Sequence, residues 1–256
     1  DGIICGDDEI TRKVISNGKK GKLKVISKYG IGLDKIDLIS ADEFGIKVCK
    51  TPGVNHIAVS EHILALLFSY YKNIHLEHNI TKDGKWERLI GHEIYGKKIG
   101  IVGYGRIGHE LAQRSLALGL IVKAYDPYVT NKSIINSKVA FAKSISELVK
   151  DIDVLALTLP LNKETQGIID KKIINSASKK MIIVNTSWAL IVDQQDLIAS
   201  LKDNNIKAYL TDVLEEEPMI VNHPLNEFKN VIITPHIGSR TYESVQRQGL
   251  MAVENL

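Results

Sequence analysis

The chain has 256 residues, room for one large domain or two small ones, and 44% hydrophobic against 25% charged residues allow a sizeable core. Its 33 basic and 30 acidic residues are mixed along the chain and leave a formal net charge of +3, which argues against a nucleic-acid partner; short clusters such as Lys19-Lys20 read as solvated surface. The sequence holds no apolar run of about 18 residues, so no membrane span is expected, and no signal peptide is recognisable.

The first 73 residues alternate short apolar runs with helical or turn segments. Gly2 to Cys5, Leu23 to Ser27 and Ile46 to Cys49 read as strands, the second followed by the glycine turn Gly30-Ile31-Gly32 and the third by Thr51-Pro52-Gly53. The stretch from Ser60 to Tyr70 is an almost wholly apolar helix of about three turns, of the kind buried against a second domain or subunit. Residues 74–95 are polar and mixed and read as a connector. Cys5 and Cys49 have no C-x-x-C spacing, so neither a zinc site nor a redox motif is suggested, and a reducing compartment, the cytoplasm, is expected.

Residues 99–108 carry the strongest signal. An apolar run from Ile99 to Val102 leads into Gly103-Tyr104-Gly105-Arg106-Ile107-Gly108, a G-x-G-x-x-G turn. A helical pattern follows, with Ile107, Leu111, Leu116 and Leu118 apolar, and then a second apolar run from Leu120 to Tyr125 that ends in Asp126. This strand–turn–helix–strand order suits a dinucleotide. Gly103 serves the tight turn, Gly105 the close approach of backbone to pyrophosphate, and Gly108 the packing of helix on strand. The helix N-terminus offers N–H groups and a positive dipole end to phosphate. Asp126 lies 18 residues beyond Gly108. At that place a carboxylate accepts from a ribose 2′-hydroxyl and repels a 2′-phosphate, so NAD is expected over NADP.

Beyond Asp126, Val154 to Leu159, Met181 to Asn185, Ile206 to Thr211 and Val231 to Thr234 read as strands separated by helical stretches. The alternation predicts an α/β fold with parallel, doubly wound sheets. In such sheets a ligand lies beyond the carboxyl ends of the strands, where this chain places Thr158-Leu159-Pro160, Asn185-Thr186-Ser187, Thr211-Asp212 and Thr234-Pro235-His236. Upstream of His236 stands Glu215-Glu216-Glu217-Pro218. A histidine and a carboxylate beside a nicotinamide suit exchange of a hydroxyl proton, but spacing alone does not pair Glu217 with His236.

These segments resemble the D-isomer-specific 2-hydroxyacid dehydrogenases over nearly the whole chain. Tyr29-Gly30-Ile31-Gly32-Leu33-Asp34 resembles the family's substrate loop, most closely in its phosphoglycerate dehydrogenase branch. Thr51-Pro52-Gly53 with Glu61-His62, Gly84-Lys85-Trp86 through Gly96-Lys97, Asp212-Val213 to Glu217-Pro218, and Thr234 to Gly238 follow in the family's order. The resemblance implies two Rossmann-like domains, the first incomplete here, with residues expected before Asp1 and after Leu256. Residues 1–73 with 239–256 would form the substrate domain and 74–238 the NAD-binding domain. It implies His236 as acid and base, Glu217 as its partner, and the Ile31 and Gly32 amides as donors to a substrate carboxylate. The candidate cofactor residues are Gly103, Gly105, Arg106, Ile107, Gly108, Asp126, Leu159, Pro160, Thr165, Thr186, Asp212, His236 and Gly238. A small 2-hydroxy or 2-keto acid is the implied substrate. A homodimer is implied as well, and the apolar helix with the connector after it suggests the same.

One position departs from the family pattern: Trp188, between Asn185 and Asp193, stands where the family carries its catalytic Arg. Indole has one N–H and no charge, so it does not reproduce the planar fork of donors that grips a carboxylate. Losing one such partner costs about 2–5 kcal/mol. Trp188 is therefore open to three readings: an aromatic that only aligns with the Arg, a site retuned to a different substrate, or retained NAD binding with impaired turnover.

Overall fold

The structure, a computed structural model, describes residues 1–6, 8–129 and 137–256. It divides into two compact units, Asp1–Ala58 with Ser239–Leu256, and Val59–Gly238. The sequence reading ends the first domain at residue 73. The division falls earlier because the apolar residues of one helix belong to the core of the larger unit.

The smaller unit holds three parallel strands in the order β1 (Gly2–Cys5), β2 (Val25–Lys28) and β3 (Lys47–Cys49). Helices α1 (Arg12–Gly21) and α2 (Leu38–Glu43) connect them. Ile15, Ile26, Ile36 and Ile46 form the centre of its apolar core. The sheet winds one way, as half of a doubly wound sheet does. Residues 239–256 add the last helix of the chain, α9 (Tyr242–Glu254), capped by the Thr241 hydroxyl, which accepts from the Ser244 amide at 3.1 Å. The buried Ser27 hydroxyl donates to Ala252 O at 2.8 Å, and Arg247 Nε donates to Val54 O at 3.0 Å, so the tail is tied to β2 and to the segment after β3.

The larger unit is a seven-stranded parallel sheet. Its strands are β4 (Lys98–Val102), β5 (Ile121–Tyr125), β6 (Ala140–Phe141), β7 (Val154–Leu157), β8 (Ile182–Asn185), β9 (Ala208–Thr211) and β10 (Val231–Ile233). Their order is β10-β9-β8-β7-β4-β5-β6, so the chain starts in the middle, winds one way through β5 and β6, and returns through β7 to β10 on the other side. The reversal between β4 and β7 is the switch point at which such sheets bind ligands. Every residue of β7, β8 and β9 is buried, which is why those strands read as continuous apolar runs instead of alternating ones.

Helix α3 (His56–Tyr71) supplies Val59, Ile63, Leu66 and Leu67 to the same apolar cluster as Ile99, Ile101, Val122 and Val154. Each such side chain, fully buried, contributes about 1.5–3 kcal/mol. The apolar helix is thus covered by strands that the sequence reading assigns to the second domain, and the two belong to one unit. The connector reading also gives way in part: Ile74–Lys82 forms helix α4 before the chain becomes irregular. Helix α5 (Arg106–Ala117) follows the glycine turn; it buries Leu111 and half-buries Ile107 and Leu116, while Leu118 lies past its end and is exposed. Shorter helices, α6 (Ile145–Leu148), α7 (Lys171–Asn175) and α8 (Gln194–Lys202), link the later strands. Among the described residues no helix is long and apolar enough to cross a membrane.

Candidate active site

The glycine turn leaves β4 at the switch point. Gly103 has φ +93°, a conformation that side chains rarely adopt, and a Cβ there would lie 2.7 Å from Thr158 O. A Cβ on Gly108 would meet Gly103 O at 2.1 Å, so this position accepts nothing larger. Gly105 differs: a Cβ there has nothing within 4 Å, and the residue is exposed at the N-terminus of α5. Two glycines therefore serve internal packing, and the third keeps the outer side of the turn open. Thr158 braces the turn from the end of β7, its hydroxyl donating to Gly103 O at 2.6 Å. Arg106 is exposed on the first turn of α5, and Ile107 packs inward.

Asp126 follows β5, as expected, but its carboxylate also serves the turn. Oδ2 accepts from the Tyr104 amide at 2.7 Å, and Oδ1 from the Tyr128 amide at 2.8 Å. A carboxylate has about four acceptor sites. Sites therefore remain for a sugar hydroxyl. The Tyr128 hydroxyl reaches across to Glu164 Oε2 at 3.0 Å, and this bond to a carboxylate raises its pKa. Neither Tyr128 nor Glu164 stands out in the sequence, and no spacing rule pairs them.

The cradle of open Gly105, buried Gly108 and a carboxylate one strand away fits a dinucleotide. Replacing Asp126 by Ser removes the charge that repels a 2′-phosphate. The expected result is that the preference for NADH over NADPH narrows at least about tenfold. Titration calorimetry with both cofactors measures it, and an unchanged ratio removes Asp126 from cofactor choice.

The other expected cofactor residues divide. Leu159 is buried and Pro160 exposed on the loop after β7. The Thr165 hydroxyl donates to Pro160 O at 2.7 Å and accepts from the Asn162 amide at 2.8 Å, so it holds that loop in shape. Thr186, after β8, has a buried hydroxyl without a hydrogen-bond partner, an orphan that a bound ligand would satisfy. Trp188, on the same loop, is half-buried against the apolar cluster that includes Ile191, Tyr209 and Leu225. The buried Asn185 side chain sets this loop: Nδ2 donates to Trp188 O at 2.9 Å, and Oδ1 accepts from the Ser187 amide at 3.1 Å.

His236 and Glu217 are brought together. Nδ1 of His236 lies 2.7 Å from Glu217 Oε2, and Glu217 Oε1 accepts from the Leu214 amide at 2.9 Å. The pair is partly exposed, with side-chain accessibilities of 55% and 37%. A carboxylate on Nδ1 fixes the Nδ1–H tautomer and directs Nε2 outward as the nitrogen that exchanges a proton. His236 sits at φ +54°, a left-handed conformation that costs an ordinary residue about 1–2 kcal/mol.

Asp212 holds this turn. It is nearly buried, and its carboxylate accepts from Thr234 Oγ1 at 2.5 Å, from the Ile237 amide at 2.9 Å and from the Gly238 amide at 2.7 Å. Burial pushes its pKa up, but hydrogen bonds from His62, Thr234 and the two amides outweigh burial and hold it below the usual carboxylate range. With a folded pKa below the unfolded one, the stability it contributes is present at neutral pH and is lost only as acidification passes below that range. Asp212 was expected among the cofactor residues; the structure engages much of its acceptor capacity within the chain. Gly238 is required here, since a Cβ would lie 2.9 Å from Asp212 Oδ2.

In the smaller unit, Ile31 and Gly32 lie on the loop after β2, Ile31 exposed and Gly32 half-buried. Thr51 braces this loop: its Oγ1 accepts from the Gly30 amide at 2.9 Å, and its amide donates to Gly30 O at 3.0 Å.

Residues 64–238 match the family described as D-isomer specific 2-hydroxyacid dehydrogenase, NAD binding domain. The chain is 36% identical to a D-3-phosphoglycerate dehydrogenase of Methanocaldococcus jannaschii, over 99% of this chain and 48% of the relative. It is also 36% identical to a hydroxypyruvate reductase of Thermotoga maritima, over 99% of this chain and 82% of that protein. Its fold matches the apo-structure of D-lactate dehydrogenase from Escherichia coli with a TM-score of 0.90 at 28% identity, covering 99% of this chain and 80% of the other. The chain spans about half the length of the archaeal phosphoglycerate dehydrogenases that it resembles.

Proposed function

The chain belongs to the D-isomer specific 2-hydroxyacid dehydrogenase family and carries its NAD-binding domain, and from that premise we propose that it interconverts a small D-2-hydroxy acid and the matching 2-keto acid with NAD. The observation that carries the proposal is the His236–Glu217 contact at 2.7 Å, formed by segments that follow β9 and β10 in a sheet whose switch point holds the glycine turn.

NAD, when bound, supplies the two-electron redox chemistry. The rest is work for the chain's own groups. The amides of the first turn of α5, beside the open Gly105, would hold the pyrophosphate, and Asp126 would accept from the ribose. His236 Nε2 takes the substrate hydroxyl proton in oxidation and returns it in reduction. Glu217 stabilises the imidazolium that this creates. The family resemblance implies the Ile31 and Gly32 amides as donors to a substrate carboxylate.

The relatives' names include phosphoglycerate dehydrogenase, hydroxypyruvate reductase and glyoxylate reductase, which supports short 2-keto acids as the substrate class, 3-phosphohydroxypyruvate among them. A screen of 3-phosphohydroxypyruvate, hydroxypyruvate, glyoxylate and pyruvate for NADH consumption tests this. No turnover with any of them, together with no NADH binding by calorimetry, defeats the proposal.

A second reading follows from Trp188: a protein that binds NAD(H) with impaired turnover. The packing of its indole against an apolar cluster favours it, because that side chain offers the substrate no charge. Trp188→Arg discriminates. On unbranched 2-keto acids we expect kcat/KM to rise at least about thirtyfold, the lower end of what one charged partner contributes. A fall shows instead that the indole serves the substrate.

The partner proposed is a second copy of this chain. Helix α4 and the segment after it expose Ile74, Trp86, Ile90 and Tyr95, with Trp86 84% and Ile90 94% accessible. Exposed apolar side chains grouped in this way mark an interaction surface. Sedimentation equilibrium is expected to give the dimer mass, with Trp86→Asp shifting it to the monomer; a monomeric parent overturns the assignment. With only two cysteines in the sequence and no C-x-x-C spacing, a reducing cytoplasmic setting is the proposed location.

A further inference from the structure

We propose that His62 is a positioning residue for His236: acting through Thr234 and Asp212, it fixes the left-handed turn that presents the His236 imidazole to Glu217. The inference rests on the acid–base reading of His236 only for its kinetic measurement.

His62 lies on α3, remote in sequence from both partners. Its Nε2 is 2.9 Å from Thr234 Oγ1 and 3.4 Å from Asp212 Oδ1. The direction of each hydrogen bond follows from chemistry. Asp212 is an ionised acceptor, so the Thr234 hydroxyl donates to it at 2.5 Å in preference to Thr211 O at 3.5 Å. The Thr234 oxygen is then an acceptor for His62, which must carry its proton on Nε2. The relay runs from the His62 N–H to the Thr234 hydroxyl and on to the Asp212 carboxylate, and each bond polarises the next.

This relay sits at both ends of the His236 turn. Thr234 precedes His236 by two residues, and its own amide donates to Thr211 O at 2.9 Å. Beyond His236, the Ile237 and Gly238 amides donate to the same Asp212 carboxylate. The backbone is thus clamped on either side of a residue at φ +54°, and the clamp is what directs that imidazole. The His62 ring also closes over Gly238, where a Cβ would lie 3.4 Å from His62 Cδ2. Its neighbours Ile63, Leu66 and Leu67 enter the apolar core. A leucine at position 62 would suit that packing but would leave the Thr234 oxygen without its donor and Asp212 with fewer. An acceptor shielded from water and deprived of its partner keeps the cost of its desolvation, so the clamp loosens.

The test uses the full chain, labelled with ¹⁵N, in four variants: His62→Leu, His62→Gln, Thr234→Val and Thr234→Ser. Long-range ¹H–¹⁵N spectra at alkaline pH report the tautomer of His236. The parent is expected to show the Nδ1–H form, held by Glu217. His62→Leu and Thr234→Val are expected to move it toward the mixture of an unconstrained histidine. They should also lower kcat with the best 2-keto acid at least about tenfold while KM for NADH stays within about threefold. His62→Gln and Thr234→Ser keep the donor and the hydroxyl and are expected to restore both signals. If His62→Leu lowers only the melting temperature and leaves the His236 spectrum at its parental form, His62 is a packing residue and the proposal is overturned. Should His62→Leu fail to fold, the nearly isosteric Thr234→Val decides by the same spectrum. The spectra need no turnover, so a chain that reduces no 2-keto acid defeats the proposed function without touching this inference.

Discussion

His236→Asn is expected to lower kcat for 2-keto acid reduction by about 10²–10⁴, the usual share of a positioned general acid, with NADH affinity retained. Asparagine is the informative replacement because of the backbone. His236 sits at φ +54°, and Asn tolerates the left-handed region better than most residues. The turn held by Asp212 therefore survives, and what is lost is a group able to give and take a proton. Glu217 then faces an amide in place of an imidazole. Steady-state NADH oxidation at saturating keto acid, with calorimetry for cofactor affinity, separates the two effects. A variant that keeps half the parental rate removes His236 from the chemistry.

Gly105→Ala and Gly108→Ala are expected to fail in opposite ways. A Cβ at position 108 would stand 2.1 Å from Gly103 O, a backbone atom that no side-chain rotation can move aside. Helix α5 and the turn must shift, at a cost of at least about 1–3 kcal/mol, and the melting temperature should fall by roughly 4–10 °C. At position 105 a Cβ meets nothing within 4 Å and φ is −73°, so alanine is accommodated. Stability should stay within about 0.5 kcal/mol of the parent. The added methyl nevertheless narrows the opening beside the α5 amides proposed to hold the pyrophosphate, and NADH affinity should fall at least about tenfold. Thermal melts and calorimetry on the two variants decide it. If Gly105→Ala binds NADH as tightly as the parent, the pyrophosphate lies elsewhere.

Much of the larger unit was legible because its signals are local. The runs from Ile99 to Val102 and from Val154 to Leu157 are apolar throughout, since both faces of a central parallel strand are covered. Strand ends moved by a residue or two, as at Leu23, which belongs to the core of the smaller unit but precedes β2. The two-residue strand β6 was missed: two paired residues carry no periodicity. The helix from Ser60 was legible but its setting was not. An all-apolar helix says that it is covered, not by what.

The candidate site divides along the same line. The glycines and Asp126 were named from type, order and spacing, and Glu217, His236 and Trp188 took their roles from the family resemblance. Their contacts were not legible. Spacing did not pair His236 with Glu217 across 19 residues, and it did not find His62 beside Thr234 across 172. Nor did it show that Asp126 and Asp212, both expected as cofactor groups, also satisfy amides of their own chain.

The amino-acid order alone determined the fold class and the place of the cofactor turn, because those follow from near-neighbour patterns of polarity, glycine and charge. The sheet decided the rest. Strand order β10-β9-β8-β7-β4-β5-β6 brings the loops after β9 and β10 side by side and lays α3 against them. Hydrogen bonds act over about 3 Å. Which donor meets which acceptor is therefore settled only when remote segments are packed together, as where Asp212 meets Thr234, Ile237 and Gly238.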